Sequence, residues 1–471
     1  MMESAIHGPQ PLIPPAVAAR ARSFGRIPLG FGPRFFVAIL LGFFWIIPAW
    51  WAPRMIAAMF AWDIIFVAAF IFDLMRLPKP QEVEARRVWE RAPSLATASD
   101  IAVVIRNFTG VAFRAYLTDE SPATFLDAPA VMELFVAGRH QAQASYPILP
   151  RKRGEARMGR LFLRYRSRLG FAERWAVALI SQPVRVLPDL EQARQHALYL
   201  IRTRQVEMER RRRRRQRGQG REFESLREYR QGDDMRDISW TATARRHHLT
   251  TRVFEIERSQ VVWIILDAGR LLRAEIQQEQ SALRLAKLDY AVNAALSLAQ
   301  VAVQCGDRVG LLAYGRAIQH NVAAGRGVLH IRSIVESLAQ VHAESSEADH
   351  SSAARVLLTE QHRRSLVVWI TDFAETPATP EVIEYAMQIT RRHLVLFTVM
   401  SQPDLEGLGQ ATPKTSQEMY RHTAALEIAH RRDVLLRGLR QRGVLALELV
   451  PGTLASTLVN QYLDIKERNL L

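Results

Sequence analysis

Val261-Val-Trp-Ile-Ile-Leu-Asp267 and Ser365-Leu-Val-Val-Trp-Ile-Thr-Asp372 share one form: a short apolar run, rich in β-branched residues, that ends in an aspartate. Each run is too short for a buried helix and has no polar alternation, so each reads as a parallel strand covered on both faces. The intervening sequence keeps the rhythm. An amphipathic helical stretch at about Ser281 to Gln304 leads to Arg308-Val-Gly-Leu-Leu-Ala-Tyr314, with a return strand near Ile318 to Ala323. Helices are expected around Val328 to Gln340 and Ser352 to Gln361. Beyond Asp372 come a helix, the strand His393-Leu-Val-Leu-Phe-Thr-Val399, and a long helix from about Gln417 to Arg442. The strand Val444-Leu-Ala-Leu-Glu-Leu-Val450 and a closing helix follow. Alternating strands and helices of this kind predict an α/β domain over 259–471, built on a doubly wound parallel sheet.

In such sheets ligands bind at the carboxyl ends of the strands, where Asp267 and Asp372 both fall. Two carboxylates meeting there suit a hard cation such as Mg²⁺. The alternative is that each aspartate caps the helix or loop that follows it.

Upstream lies a linker, 191–258. It is helical at first, then carries Arg210, Arg211, Arg212, Arg213, Arg214, Arg215 and Arg217. A run of like charges repels itself and is usually solvated. A contact with lipid headgroups, an acidic protein or nucleic acid stays open beside that reading, although no nucleic-acid module accompanies it. Then Phe223-Glu-Ser-Leu-Arg-Glu-Tyr-Arg-Gln-Gly-Asp-Asp234 interleaves charges with apolar residues and runs on to Arg236-Asp-Ile-Ser-Trp-Thr-Ala-Thr-Ala-Arg245. Glu224, Arg227, Tyr229, Asp233, Arg236, Trp240 and Arg245 either pair and pack internally or face a partner; Trp240 is expected in the core. The adjacent His247 and His248 have no companions at zinc-ligand spacing.

Residues 84–190 have a different texture. Ile101 to Asn107, Phe113 to Thr118, Val131 to Val136 and Leu161 to Tyr165 are short, partly alternating runs between turn residues, which predicts a small β-sandwich-like module. Before it, 35–52 is uncharged and apolar, and Met55 to Met75 is apolar apart from Asp63 and Asp73. The pair predicts a two-span transmembrane hairpin over 35–76. Arg20, Arg22, Arg26 and Arg34 precede it and Arg76, Lys79, Arg86 and Arg87 follow, with only Arg54 between. That asymmetry puts both ends on the cytoplasmic side of an inner membrane. Trp45, Trp50, Trp51 and Trp62 suit the turn side, where Asp63 is expected to reach interfacial water. Proline-rich 1–34 reads as a disordered lead-in.

The 471 residues have room for several domains, and Lys+Arg 63 against Asp+Glu 47 gives a net charge of +16, which favours an anionic neighbour such as a membrane surface. A single cysteine, Cys305, excludes an internal disulfide. No Gly-x-x-x-x-Gly-Lys-Ser/Thr loop is present, and no nucleophile–base constellation stands out, so a non-enzymatic role is expected.

The stretches 223–245, Arg252-Val-Phe-Glu-Ile-Glu257, Leu266-Asp-Ala-Gly-Arg270 and Leu149-Pro-Arg-Lys-Arg-Gly154 together resemble the bacterial domain-of-unknown-function fifty-eight family. The resemblance implies a membrane-anchored protein with a von Willebrand factor A-like domain that works beside a MoxR-type AAA+ ATPase, and the function expected is an adaptor that binds this ATPase, a client protein or both in the assembly or maturation of a complex. It also implies a Mg²⁺ site of the metal-ion-dependent adhesion type, with Asp267 as the first acid and Asp372 as the second. Gly269 and Leu271 stand at its serine positions, and the turn Gly325-Arg-Gly327, where its threonine is expected, has no hydroxyl. The pattern is degenerate and predicts weak metal binding. Ser239 stands where the family usually shows Asp. An enzyme using the two aspartates and a tethered nucleic-acid binder are the alternative readings.

Overall fold

Strands that bury every second side chain build the first of two units, residues 1–189 with 279–285. The computed structural model describes residues 12–52, 54–189, 222–230, 235, 238–255, 260–277, 284–372, 379–468 and 470. In β4 (Val83–Trp89), β5 (Ser99–Asn107) and β6 (Phe113–Asp119), inward positions alternate with exposed or half-buried ones. One sheet runs β1 (Val17–Arg20), β4, β5, β8 (Gln141–Ile148). A second runs β2 (Arg22–Ser23), β11 (Ala172–Ala178), β10 (Leu161–Ser167), β6, β7 (Ala130–Val136), with β3 (Leu29–Phe31) also on β11. Between them lies a buried ion pair. Arg87 from β4 grips Asp119 from β6, with Nε donating at 3.0 Å, and its Nη1 donates to Ile180 O at 2.9 Å. Tyr146 from β8 donates to the same carboxylate at 2.7 Å, so the pair is fully hydrogen-bonded, as burial demands. Residues 17–31 are thus strands of both sheets, not a lead-in without structure: Val17 pairs with Arg87, and Leu29 with Arg174.

The apolar stretches differ from a symmetric hairpin. α2 (Met55–Arg76) is one unbroken helix, long and apolar enough to cross a membrane; its 22 residues span about 33 Å. The first stretch is interrupted. α1 (Pro33–Gly42) passes into a 3₁₀ turn at Phe43–Trp45 and a short helix at Ile46–Ala49 that contains Pro48. Proline removes a backbone donor and restricts the residue before it, which disfavours a single long helix here. α1 nevertheless packs on α2: Trp62 Nε1 donates to Ala38 O at 2.9 Å, and Phe35 lies 5.3 Å from Phe70. Asp63 is half-buried against Gly42, with one carboxylate oxygen sealed and without a hydrogen-bond partner, rather than reaching water with both.

The second unit, 190–278 with 286–471, is α/β. Its sheet comprises β15 (Val261–Asp267), β16 (Arg308–Tyr314), β17 (Ile318–Gly325), β18 (Leu366–Thr371), β19 (Leu394–Met400) and β20 (Leu445–Leu449). The order is β17-β16-β15-β18-β19-β20, parallel throughout except for the edge strand β17, which returns antiparallel on β16. Most elements lie within a few residues of their expected place, but the helix expected from Ser281 starts at Lys287, after a short strand at Arg284–Ala286, and the helix α8 (Pro403–Gln410) was not expected. On one face Trp263, Ile265, Tyr314, Trp369 and Phe397 form a core with α6 (His350–Glu360), α7 (Thr379–Thr390) and α9 (Ser416–Gln441). α4 (Lys287–Gln304), α5 (Val328–Gln340) and α10 (Leu454–Glu467) form a second helical group, with α4 packed on β15 and β16. A glycine is required on β16: a Cβ at Gly310 would fall 2.7 Å from the Trp263 indole.

Candidate functional site

The two central strands end side by side, Leu266 paired with Ile370, so their aspartates emerge in one crevice. Asp267 Oδ1 accepts from the Gly269 N–H at 2.7 Å and Oδ2 from the Thr371 hydroxyl at 2.6 Å. The first of these bonds is the local backbone role foreseen as the capping alternative. Asp372 is bound differently. Lys287 Nζ, at the first residue of α4, donates to Oδ2 at 2.5 Å, and Arg432 Nη2, from α9, donates to Oδ1. Arg432 also donates to Met400 O at 2.6 Å and lies 3.4 Å from Glu448. The cluster is closed to solvent: Asp267 is 4%, Asp372 5%, Lys287 1% and Arg432 7% exposed.

Burial holds the Asp267 carboxyl above its ordinary range, against the opposing pull of His350, Thr371 and the Gly269 N–H, while Asp372 adds to the rise. Next to it Trp369 Nε1 donates to the Tyr314 hydroxyl at 2.7 Å, and that hydroxyl lies 2.7 Å from His350 Nδ1. Indole only donates, so the Tyr314 oxygen accepts from Trp369. Burial raises the Tyr314 phenol far beyond its usual value, and it stays protonated.

The loop facing Asp267 is 341–349, not the turn at Gly325–Gly327. Glu344 N donates to Ala268 O at 2.8 Å and Arg270 N to Ser346 O at 2.9 Å. Gly269 meets Ala348 here; a Cβ at 269 would lie 3.0 Å from the Ala348 Cβ. Neither residue offers an oxygen ligand from its side chain. With both Asp372 oxygens on internal cations, the described residues do not fit a hard divalent ion. Among them no group of three or more His, Cys, Asp or Glu side chains is disposed to hold a metal.

The charged signature segment forms a ribbon: β13 (Glu222–Glu228) pairs antiparallel with β14 (Thr250–Glu255), and α3 (Trp240–Arg246) bridges them. Ser239 N donates to Thr250 O at 2.8 Å and Thr250 N to the Thr243 hydroxyl at 3.0 Å, so Ile238, Ser239, Thr250 and Thr251 are buried. Glu224 and Arg227 lie on β13, and Tyr229 is half-buried. Arg245 is exposed. Trp240 departs from the core expectation at 65% exposure, and Met235 and Leu249 are exposed as well. A tryptophan at the first position of a short helix, with its inner neighbours Ile238 and Ser239 already buried, points away from the ribbon's core. His248 lies 3.5 Å from Glu228 and His247 adopts φ 57° at the helix end, a capping role without metal companions. Asp233, Arg236 and Arg210 to Arg217 lie outside the described residues.

Sequence reasoning brought Asp267 and Asp372 together but missed Lys287, Arg432, Thr371 and His350. One signal was available for Lys287. Lysine is scarce in this arginine-rich chain, and Lys287 begins an amphipathic helix beside apolar Leu285 and Leu288. Arg432 carries no comparable mark, because it is one of an adjacent pair, Arg431-Arg432, on a helix full of charge.

Residues 225–415 match the family model described as "Protein of unknown function DUF58". The match lies within the ribbon and α/β unit and leaves 12–189 outside it. Uncharacterized protein Mb1516 of Mycobacterium bovis and uncharacterized protein Rv1480 of Mycobacterium tuberculosis are each 28% identical over 156 residues, 33% of this chain and 47% of theirs. The chain therefore spans about half the length of these relatives. Among solved structures, conserved hypothetical protein BatB from Bacteroides thetaiotaomicron is similar over 45% of this chain and 100% of its own, at 13% identity and TM-score 0.30. The SpRpn10 VWA domain is similar over 43% of this chain and 95% of its own, at 13% identity and TM-score 0.28.

Proposed function

We propose that this chain, which over residues 225–415 belongs to the DUF58 family, is a membrane-anchored scaffold whose α/β unit binds other proteins. In this reading the sheet is a doubly wound, von Willebrand factor A-like domain, and its partner is a MoxR-type AAA+ ATPase, the partner that the family resemblance implies. One observation carries the choice of surface: Trp240, in the segment with the strongest family character, is 65% exposed beside a ribbon whose own core is closed. Exposed aromatics flanked by charge are favoured contacts in protein interfaces. Met235, Leu249 and Arg245 belong to the same docking surface. The apolar helix α2 is the anchor, and the arginines around the apolar segments orient the chain toward the cytoplasm, where an ATPase would reach it.

The test is affinity capture from native membranes in mild detergent, with partners identified by mass spectrometry. Wild-type protein should retain an AAA+ ATPase and Trp240→Ala should lose it while keeping its fold. Equal recovery with both proteins would move the contact away from the ribbon; no ATPase with either would end the partnership reading.

A further inference from the structure

The charge of Asp372 is balanced from inside the chain, by two cations that approach on different elements. Lys287 comes from the start of α4 and Arg432 from the interior of α9. Neither position is favourable in itself. A buried ammonium at a helix N-terminus opposes the helix dipole, and a nearly buried guanidinium needs acceptors that the apolar face of α9 does not provide. Asp372 makes both places tenable, and Met400 O and Glu448 hold Arg432 in position. The first aspartate has no counterpart to these cations. Asp267 is held by neutral donors, and Gly269 and Ala348 touch where oxygen ligands would have to stand.

We infer that Lys287 and Arg432 are fixed internal cations that occupy both Asp372 oxygens a divalent ion would need, so that this crevice is metal-independent. A divalent ion entering it would displace two donors from Asp372 and then sit beside both of their charges. A hydroxyl ligand at 269 could not be accommodated without moving the 341–349 loop. The inference stands apart from the identity of any partner, because it concerns only what fills the crevice.

The experiment uses the full-length protein in detergent, with Mn²⁺ as the probe, reading free Mn²⁺ by electron paramagnetic resonance and stability by thermal unfolding. Wild type should leave Mn²⁺ free, and its Tm should be the same with millimolar Mn²⁺ or with chelator. Lys287→Met/Arg432→Met, which frees the Asp372 carboxylate, should acquire Mn²⁺ binding and a Tm rise of roughly 5 °C or more on adding it. Stoichiometric Mn²⁺ binding by wild type that disappears in Asp372→Asn would overturn the inference, and that arm decides even if the double variant does not fold. A folded double variant indifferent to Mn²⁺ would overturn it too.

Discussion

At the scale of single residues, the strand-end cluster separates two kinds of buried carboxylate. Asp372 is the shared carboxylate partner of Lys287 and Arg432, so Asp372→Ala leaves two buried cations without it and should destabilise the protein by about 3–5 kcal/mol, read from urea midpoints. Replacing all three by apolar residues of similar size should cost far less than that. Asp267 behaves in the opposite sense. Burial raises its folded pKa, so the folded state keeps a proton that the unfolded chain has already released. Its contribution is full below the unfolded value and is lost as pH rises through the folded one. Asp267→Asn should therefore flatten the decline in stability above the ordinary carboxylate range; a urea midpoint whose pH dependence matches wild type would show that Asp267 does not titrate this way. Asp349 shows the reverse case at a helix cap. Burial alone would raise it, but the Ser351 and Ser352 hydroxyls and the Ser352 N–H together bring it down to about 2. Both aspartates of the crevice were legible in the sequence, because each ends an apolar run. Their partners were not, since a buried lysine or arginine looks like any surface cation until helices and strands are brought together.

At the scale of elements, the same distinction holds. The sheet strands and most helices of the α/β unit were legible in the sequence, because period and length are local properties, whereas the short strands at Glu275–Gln277 and Arg284–Ala286 were not. The strands at 17–31 were not, because their pairing with β4 and β11 depends on residues far along the chain and the stretch just before them, 9–15, is proline-rich. The apolar helix α2 shows what such distant pairing does. Asp73, near its C-terminal end and 1% exposed, accepts from the Ser167 hydroxyl and, at 3.0 Å each, from the Phe171 and Ala172 N–H groups. Arg174 donates to Leu74 O at 2.9 Å alongside. These bonds fix the helix end to the β10–β11 turn. Asp73→Ala should lower stability by about 3 kcal/mol or more, since it leaves several buried donors unpaired. Limited proteolysis should then cut near Leu77 to Pro80 sooner than in wild type; unchanged cleavage would mean the end of α2 is held by other contacts.

At the scale of the whole molecule, the chain joins a helix able to cross a membrane, a β module tied to that helix, and an α/β unit with a closed charged cluster and an exposed aromatic ribbon. That combination suits a protein that holds others at a membrane surface. In this reading the ribbon mediates the partnership, and Trp240→Ala isolates its contribution. An exposed side chain away from the core should change stability by no more than about 0.5 kcal/mol, so lost binding would not be lost folding. The most direct measurement is titration of a purified MoxR-type AAA+ ATPase against the full-length protein in detergent or nanodiscs, for wild type and Trp240→Ala, each with Mg²⁺–nucleotide held constant on the ATPase. Saturable binding by wild type, weakened about tenfold or more by Trp240→Ala, is the result expected, since a central interface aromatic is worth about 1.4 kcal/mol or more. Equal affinities, or no binding by either protein, would contradict the claim.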